Sequence, residues 1–253
     1  MKRIFTVLAL LMVISSALFA QEREYTKKVF HASNGLDLPY KILYPENFDP
    51  NSTYPMMVFL HGSGERGTDN DAQTFHGGKL FASSEELKGV IFIAPQCPWH
   101  DYWAPVNSGE GKVEHFPQYA PITKALEAVK ELMDSFINLG FVNTDRIYGT
   151  GLSMGAFGIF DLTLRYPDFF AAVQPICGGV NVYRCSRYNG RTAFRIFHGL
   201  ADKSVNPKYS IQANDVLRSW GIDCELVTYP GVGHASWHNA FKESDFISWM
   251  LKH

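Results

Sequence analysis

A serine framed by glycines is the feature of this chain that most directly indicates chemistry. Segment 151–155 reads Gly-Leu-Ser-Met-Gly, between a predicted buried strand that ends at Thr150 and a predicted helix that begins at Met154. Such a turn forces the serine into strained dihedrals and exposes its hydroxyl, while the glycines let neighbouring backbone approach closely. The five-letter pattern alone is common in glycine-rich turns, but the strand and helix around it make Ser153 a candidate nucleophile.

The acid that a serine nucleophile requires is best supplied by Asp202. A serine hydroxyl needs a nearby base, the base needs a third group to orient it, and in this kind of turn the chain order is serine, acid, histidine. Asp202 lies in the loop just after a predicted buried strand, in the run His-Gly-Leu-Ala-Asp at 198–202, which places its carboxylate at the carboxyl edge of the sheet. The other aspartates lie within helices or before strands and are predicted to be structural: Asp161, Asp168, Asp215 and Asp223.

The predicted general base is His234, which follows the last predicted strand in the run Tyr-Pro-Gly-Val-Gly-His. Its glycine neighbours allow the loop to bring an imidazole towards Ser153. His238 and His253 meet these conditions less well. His234 and His238 also have the i, i+4 spacing of a metal pair, but they form no His-Glu-x-x-His pattern and have no evident third ligand. Neither a metal nor a cofactor is therefore predicted.

Acyl transfer also needs hydrogen-bond donors aimed at the oxygen that becomes negative, each contributing about 3–4 kcal/mol of transition-state stabilisation. One predicted donor is the backbone N–H of Met154, directly after the nucleophile. The second is expected from the loop His-Gly-Ser-Gly-Glu-Arg-Gly at 61–67, with Ser63 as first choice and Gly64 as second. This loop lacks the spacing of the phosphate-binding patterns, and its Glu and Arg are predicted to brace it or to pair with each other.

The elements that must position these residues alternate in a pattern typical of a mainly parallel sheet with helices on both faces. Two N-terminal strands, 25–31 and 37–44, flank an Asn-Gly turn and are predicted to form an antiparallel hairpin at one edge. Further strands are predicted at 54–60, 90–94, 146–150, 170–176, 193–197 and 225–229, and helices at 121–137, 154–165, 207–220 and 240–251. The 46% hydrophobic content suffices for one core, so a single α/β domain over 21–253 is expected.

The stretch 95–119 interrupts that alternation. It carries four prolines among several aromatic residues, a composition that predicts no regular element. Long loops in compact domains are usually functional or disordered, and the aromatic content argues against disorder. We therefore predict that this segment forms a wall of a binding cleft.

The first 20 residues have the features of a secretory signal: Met-Lys-Arg, then an apolar run, then small residues. Cleavage after Ala17 or after Ala20 fits this pattern, and the apolar run falls short of the roughly 20 residues that span a bilayer. A secreted or periplasmic protein without stable membrane insertion is expected. Without Lys2 and Arg3, 21 basic residues face 25 acidic ones, a balance that favours neither nucleic acid nor an anionic membrane as partner.

The four cysteines, Cys97, Cys177, Cys185 and Cys224, are too few for a disulfide scaffold and have no Cys-x-x-Cys spacing. An oxidising compartment would permit one or two bridges. Cys177 and Cys185 are the closest pair in sequence and so the first candidates for a bridge.

Together, these motifs resemble the secreted esterase and "predicted peptidase" branch of the α/β-hydrolases, close to dienelactone hydrolases, polyhydroxybutyrate depolymerases and feruloyl or acetyl-xylan esterases. The segments that carry the resemblance are HGSGERGTDN at 61–70, APQCP at 94–98, GLSMG at 151–155, PICGG at 175–179, HGLADKSVNP at 198–207 and YPGVGHASWHNAF at 229–241. The resemblance implies a carboxylic-ester hydrolase with Ser153, Asp202 and His234 as its triad and with Ser63 and Met154 as its oxyanion donors.

The first hypothesis for the substrate is an acyl ester of a plant polysaccharide or oligosaccharide, of feruloyl or acetyl type. A peptide or a lipid ester on the same triad is the alternative, and a non-catalytic binding protein on the same scaffold is a third. Three tryptophans would offer a flat surface to a phenolic or sugar ring, with burial in the core as the competing interpretation of each: Trp99, Trp103 and Trp237.

Overall fold

In the computed structural model, which describes residues 23–109 and 112–253, strands and helices alternate along most of the chain. The strands are β1 (Thr26–His31), β2 (Asp37–Leu43), β3 (Tyr54–Leu60), β4 (Ile91–Pro95), β5 (Asn107–Gly109), β6 (Lys112–His115), β7 (Val142–Leu152), β8 (Ala172–Ile176), β9 (Ala193–Gly199) and β10 (Cys224–Tyr229). The helices are α1 (Gly78–Ser83), α2 (Lys124–Asn138), α3 (Met154–Arg165), α4 (Val182–Cys185), α5 (Lys208–Ser219), α6 (Trp237–Ala240) and α7 (Phe246–Leu251). Among these described helices, none combines the length and apolarity needed to cross a bilayer. The predicted signal, residues 1–20, lies outside the described residues.

Eight of these strands form one sheet in the order β1-β2-β4-β3-β7-β8-β9-β10. β1 pairs antiparallel with β2, and β2 pairs antiparallel with β4. From β4 to β10 each neighbouring pair is parallel. Gly35 in the Asn-Gly turn has a φ of 82°, which suits glycine. The predicted parallel sheet with an N-terminal antiparallel hairpin is confirmed.

The buried strands send alternate side chains into two cores, one on each face of the sheet. In β3, Met56 and Val58 belong to the core that includes α2, α3 and α5, whereas Met57 and Phe59 belong to the core that includes α1 and α7. Burial on both faces is why such strands read as continuous apolar runs. Helices therefore cover both faces, and the loops at the carboxyl ends of the parallel strands are left to carry function.

One predicted helix is wrong as a single element. The prediction 154–165 coincides with α3, but the predicted helix 240–251 consists of α6 and α7 with a break between them. At this break Glu243 accepts a hydrogen bond from the Tyr229 hydroxyl at 2.9 Å, and Asp245 pairs with Arg195 at 2.9 Å. These contacts with β9 and β10 prevent residues 241–245 from continuing α6 into α7 as one helix.

The stretch 95–119 contains a regular element that the sequence did not predict. β5 and β6 form a small antiparallel pair, and the Val113 N–H donates to the Ser204 carbonyl oxygen at 3.0 Å. This bond attaches the hairpin to the loop that follows β9. Strands of three and four residues are too short to produce a recognisable alternation among prolines and aromatic residues.

The predicted Cys177–Cys185 bridge is wrong. All four cysteines lie within the described residues, and each is a buried free thiol. Cys177 belongs to the core on the α1 and α7 face, whereas Cys185 belongs to the core on the opposite face, so the sheet separates them. Burial raises the pKa of Cys185 and of Cys224 to about 12, which keeps both thiols protonated.

Candidate active site

Ser153 occupies the sharp turn between β7 and α3. Its φ of 52° and ψ of −115° are strained values for a residue with a side chain. A Cβ added to Gly155 would lie 1.8 Å from the Leu60 carbonyl oxygen, and one on Gly151 would lie 2.7 Å from the carbonyl carbon of Gly155. The two glycines are therefore required by direct backbone contact with the end of β3, as well as by the turn itself.

The imidazole of His234 bridges the serine and the aspartate that the sequence predicted. His234 lies in the loop after β10, and its Nε2 is 2.9 Å from Ser153 Oγ. Its Nδ1 is 2.7 Å from Asp202 Oδ2. The geometry is that of a serine hydroxyl, a histidine and a carboxylate joined in one chain of hydrogen bonds.

The loops that carry Asp202 and His234 are tied together by their backbones. The Leu200 N–H donates to the Tyr229 carbonyl oxygen at 3.0 Å, and the Ala201 N–H donates to the Val232 carbonyl oxygen at 2.9 Å. A Cβ on Gly199 would lie 2.4 Å from the Val232 carbonyl oxygen, so only glycine permits this contact. The acid and the base are thus held in register by the neighbouring strands β9 and β10.

The carboxylate of Asp202 is fully buried and fully hydrogen-bonded. Its Oδ1 accepts from the backbone N–H of Ser204 at 2.8 Å and of Val205 at 3.0 Å. Its Oδ2 faces His234 and, at 3.2 Å, Nε2 of His198. Burial alone would raise the pKa of Asp202, but the hydrogen bonds from the two histidines and from Val205 outweigh it and hold that pKa well below its usual range. The side chain is therefore an anion throughout the neutral pH range.

The two backbone donors predicted for the oxyanion, those of Ser63 and Met154, belong to residues that begin helical turns beside Ser153. Met154 is the first residue of α3, and Ser63 is the first residue of a short 3₁₀ turn. The first N–H groups of a helical turn have no acceptor within it, so they are available to a ligand. Ser63 and Met154 line the same cleft as Ser153, whereas Gly64, the second choice, is not among its lining residues.

The loop of Ser63 is held from beneath by a buried histidine that the sequence did not single out. His61 Nδ1 donates to the Gly62 carbonyl oxygen at 2.6 Å, and its Nε2 accepts from the Cys97 N–H at 2.9 Å. Burial lowers the pKa of His61 to about 4, so the ring is neutral.

Trp103 Nε1–H donates to the His61 carbonyl oxygen at 3.1 Å, and its side chain is fully buried. The predicted substrate contact by Trp103 is therefore wrong, because the indole packs under the loop.

Arg66 braces the same turn, which is one of the two roles predicted for it. Its Nε donates to the Ser63 carbonyl oxygen at 3.0 Å and its Nη1 to the Trp99 carbonyl oxygen at 3.0 Å. Its guanidinium lies over the Tyr102 ring, 4.5 Å from the centroid. Glu65 pairs with His76 and not with Arg66: its Oε1 lies 3.7 Å from His76 Nε2. The Trp99 ring is exposed and is not among the residues that line the cleft.

Ser153 opens into a cleft of about 250 Å³. The residues that line it are Ser63, Tyr102, Val106, Val113, Ser153, Met154, Phe157, Ser204, Val205 and His234. Three of them come from the stretch 95–119, so the prediction that this stretch forms a wall is confirmed. A larger cavity of about 400 Å³ lies at the opposite ends of the strands, and its lining of Asp145, Asp168, Arg191 and other residues includes none of the three predicted triad members.

Trp237 lies beside the candidate base, outside the cleft lining. Its half-buried ring stands perpendicular to that of His234, with the centroids 5.8 Å apart. His238, the competing base, also packs against this tryptophan, with the ring centroids 5.5 Å apart, and it contacts His76. His253 pairs with an aspartate at 3.3 Å. Neither competitor is paired with Ser153.

Three of the four competing acids hold structural positions. Asp161 is buried and pairs with Arg165 and Arg184. Asp168 accepts from the backbone and the side chain of Arg191. Asp223 is the partner of His253. Within residues 23–109 and 112–253, no group of three His, Cys, Asp or Glu side chains is arranged to hold a metal ion.

The fold and this arrangement define an α/β-hydrolase, and comparison with known proteins identifies the family. Residues 50–251 match the phospholipase/carboxylesterase family, and the chain belongs to it. The carboxylesterase SOBER1 of Arabidopsis thaliana is 28% identical over 217 residues, which cover 78% of this chain and 89% of that protein. A probable carboxylesterase from Oryza sativa subsp. japonica is 27% identical over 199 residues, which cover 72% and 81%.

A crystal structure of a thermostable esterase has a TM-score of 0.79 to this chain at 28% identity, and the match covers 90% of this chain and 62% of that one. The protein is therefore a hydrolase that acts on esters.

The contact at Gly155 generates a prediction about stability. Gly155→Ala should lower the free energy of unfolding by about 3 kcal/mol or more, because the new Cβ would overlap the Leu60 carbonyl oxygen and force the strand and helix apart. Urea unfolding followed by circular dichroism measures this loss. Gly89→Ala is the matched control, because its Cβ would meet no heavy atom within 4 Å. Equal stabilities of the two variants would contradict the close contact.

Proposed function

We propose that the protein is a secreted serine carboxylic-ester hydrolase that works through an acyl-enzyme on acyl esters of plant polysaccharides or oligosaccharides. Ser153 acts as the nucleophile, His234 as the general base and Asp202 as the acid that orients it. The observation that carries the proposal is the continuous hydrogen-bonded chain from Ser153 Oγ through His234 to Asp202, with distances of 2.9 and 2.7 Å. Ser153 lines a cleft that is also lined by Ser63 and Met154, the two proposed backbone donors.

In the acylation step, Ser153 Oγ attacks the ester carbonyl carbon while His234 Nε2 takes the hydroxyl proton. The buried anion of Asp202 keeps the proton of the neutral ring on Nδ1 and stabilises the imidazolium that forms. The carbonyl oxygen becomes negative and is stabilised by the N–H groups of Ser63 and Met154. When the intermediate collapses, the C–O bond of the alcohol breaks and His234 gives its proton to the departing oxygen.

In the deacylation step, a water molecule takes the place of the alcohol. His234 removes one of its protons, the hydroxide attacks the acyl carbon, and the same two donors stabilise the second tetrahedral intermediate. Collapse returns the proton to Ser153 Oγ and releases the carboxylic acid. Each step leaves Asp202 ionised, which agrees with its depressed pKa.

The dimensions and lining of the cleft support a short or planar acyl group. At about 250 Å³, with Val106, Val113 and Phe157 on its wall, the cleft suits an acetyl or feruloyl group better than a long fatty acyl chain. A solved structure of a ferulic acid esterase shares the fold at a TM-score of 0.66 and 17% identity, over 92% of this chain and 99% of that one. At that identity the similarity concerns the fold alone. The proposed feruloyl or acetyl specificity is therefore argued from the volume and lining of the cleft.

Ser153→Ala tests the class of reaction. The substitution should lower kcat/KM by about 10⁴-fold or more, because it removes the atom that forms the acyl-enzyme. The assay measures hydrolysis of p-nitrophenyl acetate and butyrate, methyl ferulate, acetylated xylan, a lysophospholipid and a peptide amide by the wild-type protein and the variant. Acetyl and feruloyl esters are expected to be the best substrates, and a preference for the lipid or the amide would favour the alternative substrate. A folded wild-type protein that hydrolyses no ester would overturn the proposal.

Trp237→Leu tests whether the tryptophan beside the base contacts the alcohol. The leaving oxygen takes its proton from His234, so the alcohol must lie near that ring and near Trp237. In the variant we expect the KM for acetylated xylo-oligosaccharides to rise about tenfold over the wild-type value, because the contact between the indole and a sugar ring is lost. The KM for methyl ferulate should stay at its wild-type value, because methanol has no ring to contact. Trp99→Leu is the control, because its indole is exposed and the tryptophan ring that contacts His234 is that of Trp237. A uniform loss of kcat on both substrates would mean that Trp237 only supports His234.

Secretion is the remaining part of the proposal, and it rests on the sequence of residues 1–20. Expression of the full chain in a Gram-negative bacterial host should deliver a periplasmic or extracellular protein whose mature N-terminus is residue 18 or residue 21. Intact-mass analysis of each fraction measures this, with a chain that starts at residue 21 as the cytoplasmic control. An unprocessed chain that keeps Met1 and stays in the cytoplasm would contradict secretion.

A further inference from the structure

A second histidine shares the carboxylate that His234 uses. His198, at the carboxyl end of β9, is fully buried, and its Nε2 lies 3.2 Å from Asp202 Oδ2 and 3.1 Å from the Val205 carbonyl oxygen. Asp202 Oδ2 is the same oxygen that lies 2.7 Å from His234 Nδ1. Two imidazoles, one at the end of β9 and one in the loop after β10, therefore face one carboxylate oxygen.

The neighbours of His198 determine where its proton lies. Both partners of Nε2 are acceptors, a carboxylate and a carbonyl, so Nε2 must carry the hydrogen. Nδ1 is 2.7 Å from the Ser210 hydroxyl of α5, and that hydroxyl donates to the Gly178 carbonyl oxygen at 3.1 Å. The contact with Ser210 fixes the orientation of the ring, with its Nε2–H directed at Asp202 and Val205.

We propose that His198 is a positioning residue of the active site, which donates its Nε2–H to Asp202 Oδ2 and so limits the negative charge that this oxygen offers to His234. The proposal rests on the proposed hydrolytic triad. Ser210 has a part in it, because its hydroxyl contacts Nδ1 at 2.7 Å and so fixes the direction of the N–H on the other side of the ring. The chain of hydrogen bonds thus runs from α5 through β9 to the candidate catalytic base.

This charge sharing has a direct consequence for catalysis. A carboxylate with its full charge would stabilise the protonated form of His234, and the base would be available only at higher pH. A carboxylate that accepts a second N–H still orients the imidazole but stabilises its cation less. His198 therefore shifts the working range of the base to lower pH while the Ser204 and Val205 N–H groups keep Asp202 in place.

The other titratable groups near this network are few within the described residues. Cys177, at the end of β8, faces Asp202, and burial together with that negative charge raises its pKa, so it stays a neutral thiol. The rings of His76 and His238 contact Trp237, which in turn contacts His234. These three groups are unchanged in the variants below, so their contribution cancels in each comparison.

Two substitutions of His198 separate charge sharing from packing. In His198→Asn the amide nitrogen stands near the position of Nδ1, so the contact with Ser210 is kept and the donor to Asp202 is lost. In His198→Gln the amide nitrogen reaches the position of Nε2 and restores that donor. For His198→Asn we expect kcat/KM on p-nitrophenyl acetate at pH 7 to fall about tenfold, as for loss of a hydrogen bond to a charged group. The acid limb of its pH profile should move upward by roughly half a pH unit or more.

His198→Gln should stay within about threefold of the wild-type kcat/KM and keep the wild-type acid limb, since the donor to the charged group is restored. Ser210→Ala, nearly isosteric in its buried position, should move the limb in the same direction as His198→Asn but less far, and it remains informative if His198→Asn does not fold. His31→Asn is the matched control, because that exposed histidine also pairs with an aspartate, Asp37, on the opposite edge of the sheet.

The result that overturns the proposal is an acid limb in His198→Asn, or in Ser210→Ala, that coincides with the wild-type limb. Nitrogen NMR of the histidine rings provides a test that does not need turnover. The ring of His198 should carry a hydrogen on Nε2, and the titration of His234 should move to higher pH in His198→Asn. A His198 ring without a hydrogen on Nε2 would also overturn the proposal. Failure of the proposed function is a different result, namely a wild-type protein that hydrolyses no ester.

Discussion

The contact between the backbone of Gly155 and the Leu60 carbonyl oxygen is the constraint on which the rest of the site depends. It brings the end of β3, the end of β7 and the start of α3 together, with no room for a Cβ at Gly155 or Gly151. Ser153 takes its strained φ of 52° because α3 must begin at once, and the Ser153 N–H is held by the Ile176 carbonyl oxygen of β8. The hydroxyl and the Met154 N–H therefore emerge at one edge of the sheet, beside the loop of Ser63.

A buried anion is the second element that the site must accommodate. Taking the Asp202 carboxylate out of water is costly unless its oxygens are satisfied, and four donors from three segments of chain satisfy them. Two of these donors are backbone N–H groups of the same loop, and two are imidazoles. The arrangement makes Asp202 a fixed negative charge, whose effect on His234 depends on how much of that charge the other donors already hold.

Aromatic and imidazole groups support the site chiefly from within the core. His61 and Trp103 lie beneath the loop that carries Ser63, and Arg66 connects the Ser63 and Trp99 carbonyl oxygens. The depressed pKa of His61 keeps it neutral, which allows one nitrogen to donate and the other to accept. The loop therefore presents its N–H groups from a rigid base, and electrostatic stabilisation of a developing oxyanion depends on such preorganisation.

The sequence by itself determined the parallel sheet with its N-terminal hairpin, the strand-to-helix turn at Ser153 and, through chain order, the pairing of Asp202 with His234. These features follow from local periodicity, from glycine sterics and from the rule that loops after parallel strands meet at one edge. Only the tertiary structure decided that Trp103 is buried, that the sheet separates Cys177 from Cys185, and that His198 faces the carboxylate. The physical reason is that burial and hydrogen-bond partners depend on residues from distant parts of the chain, which no local pattern specifies.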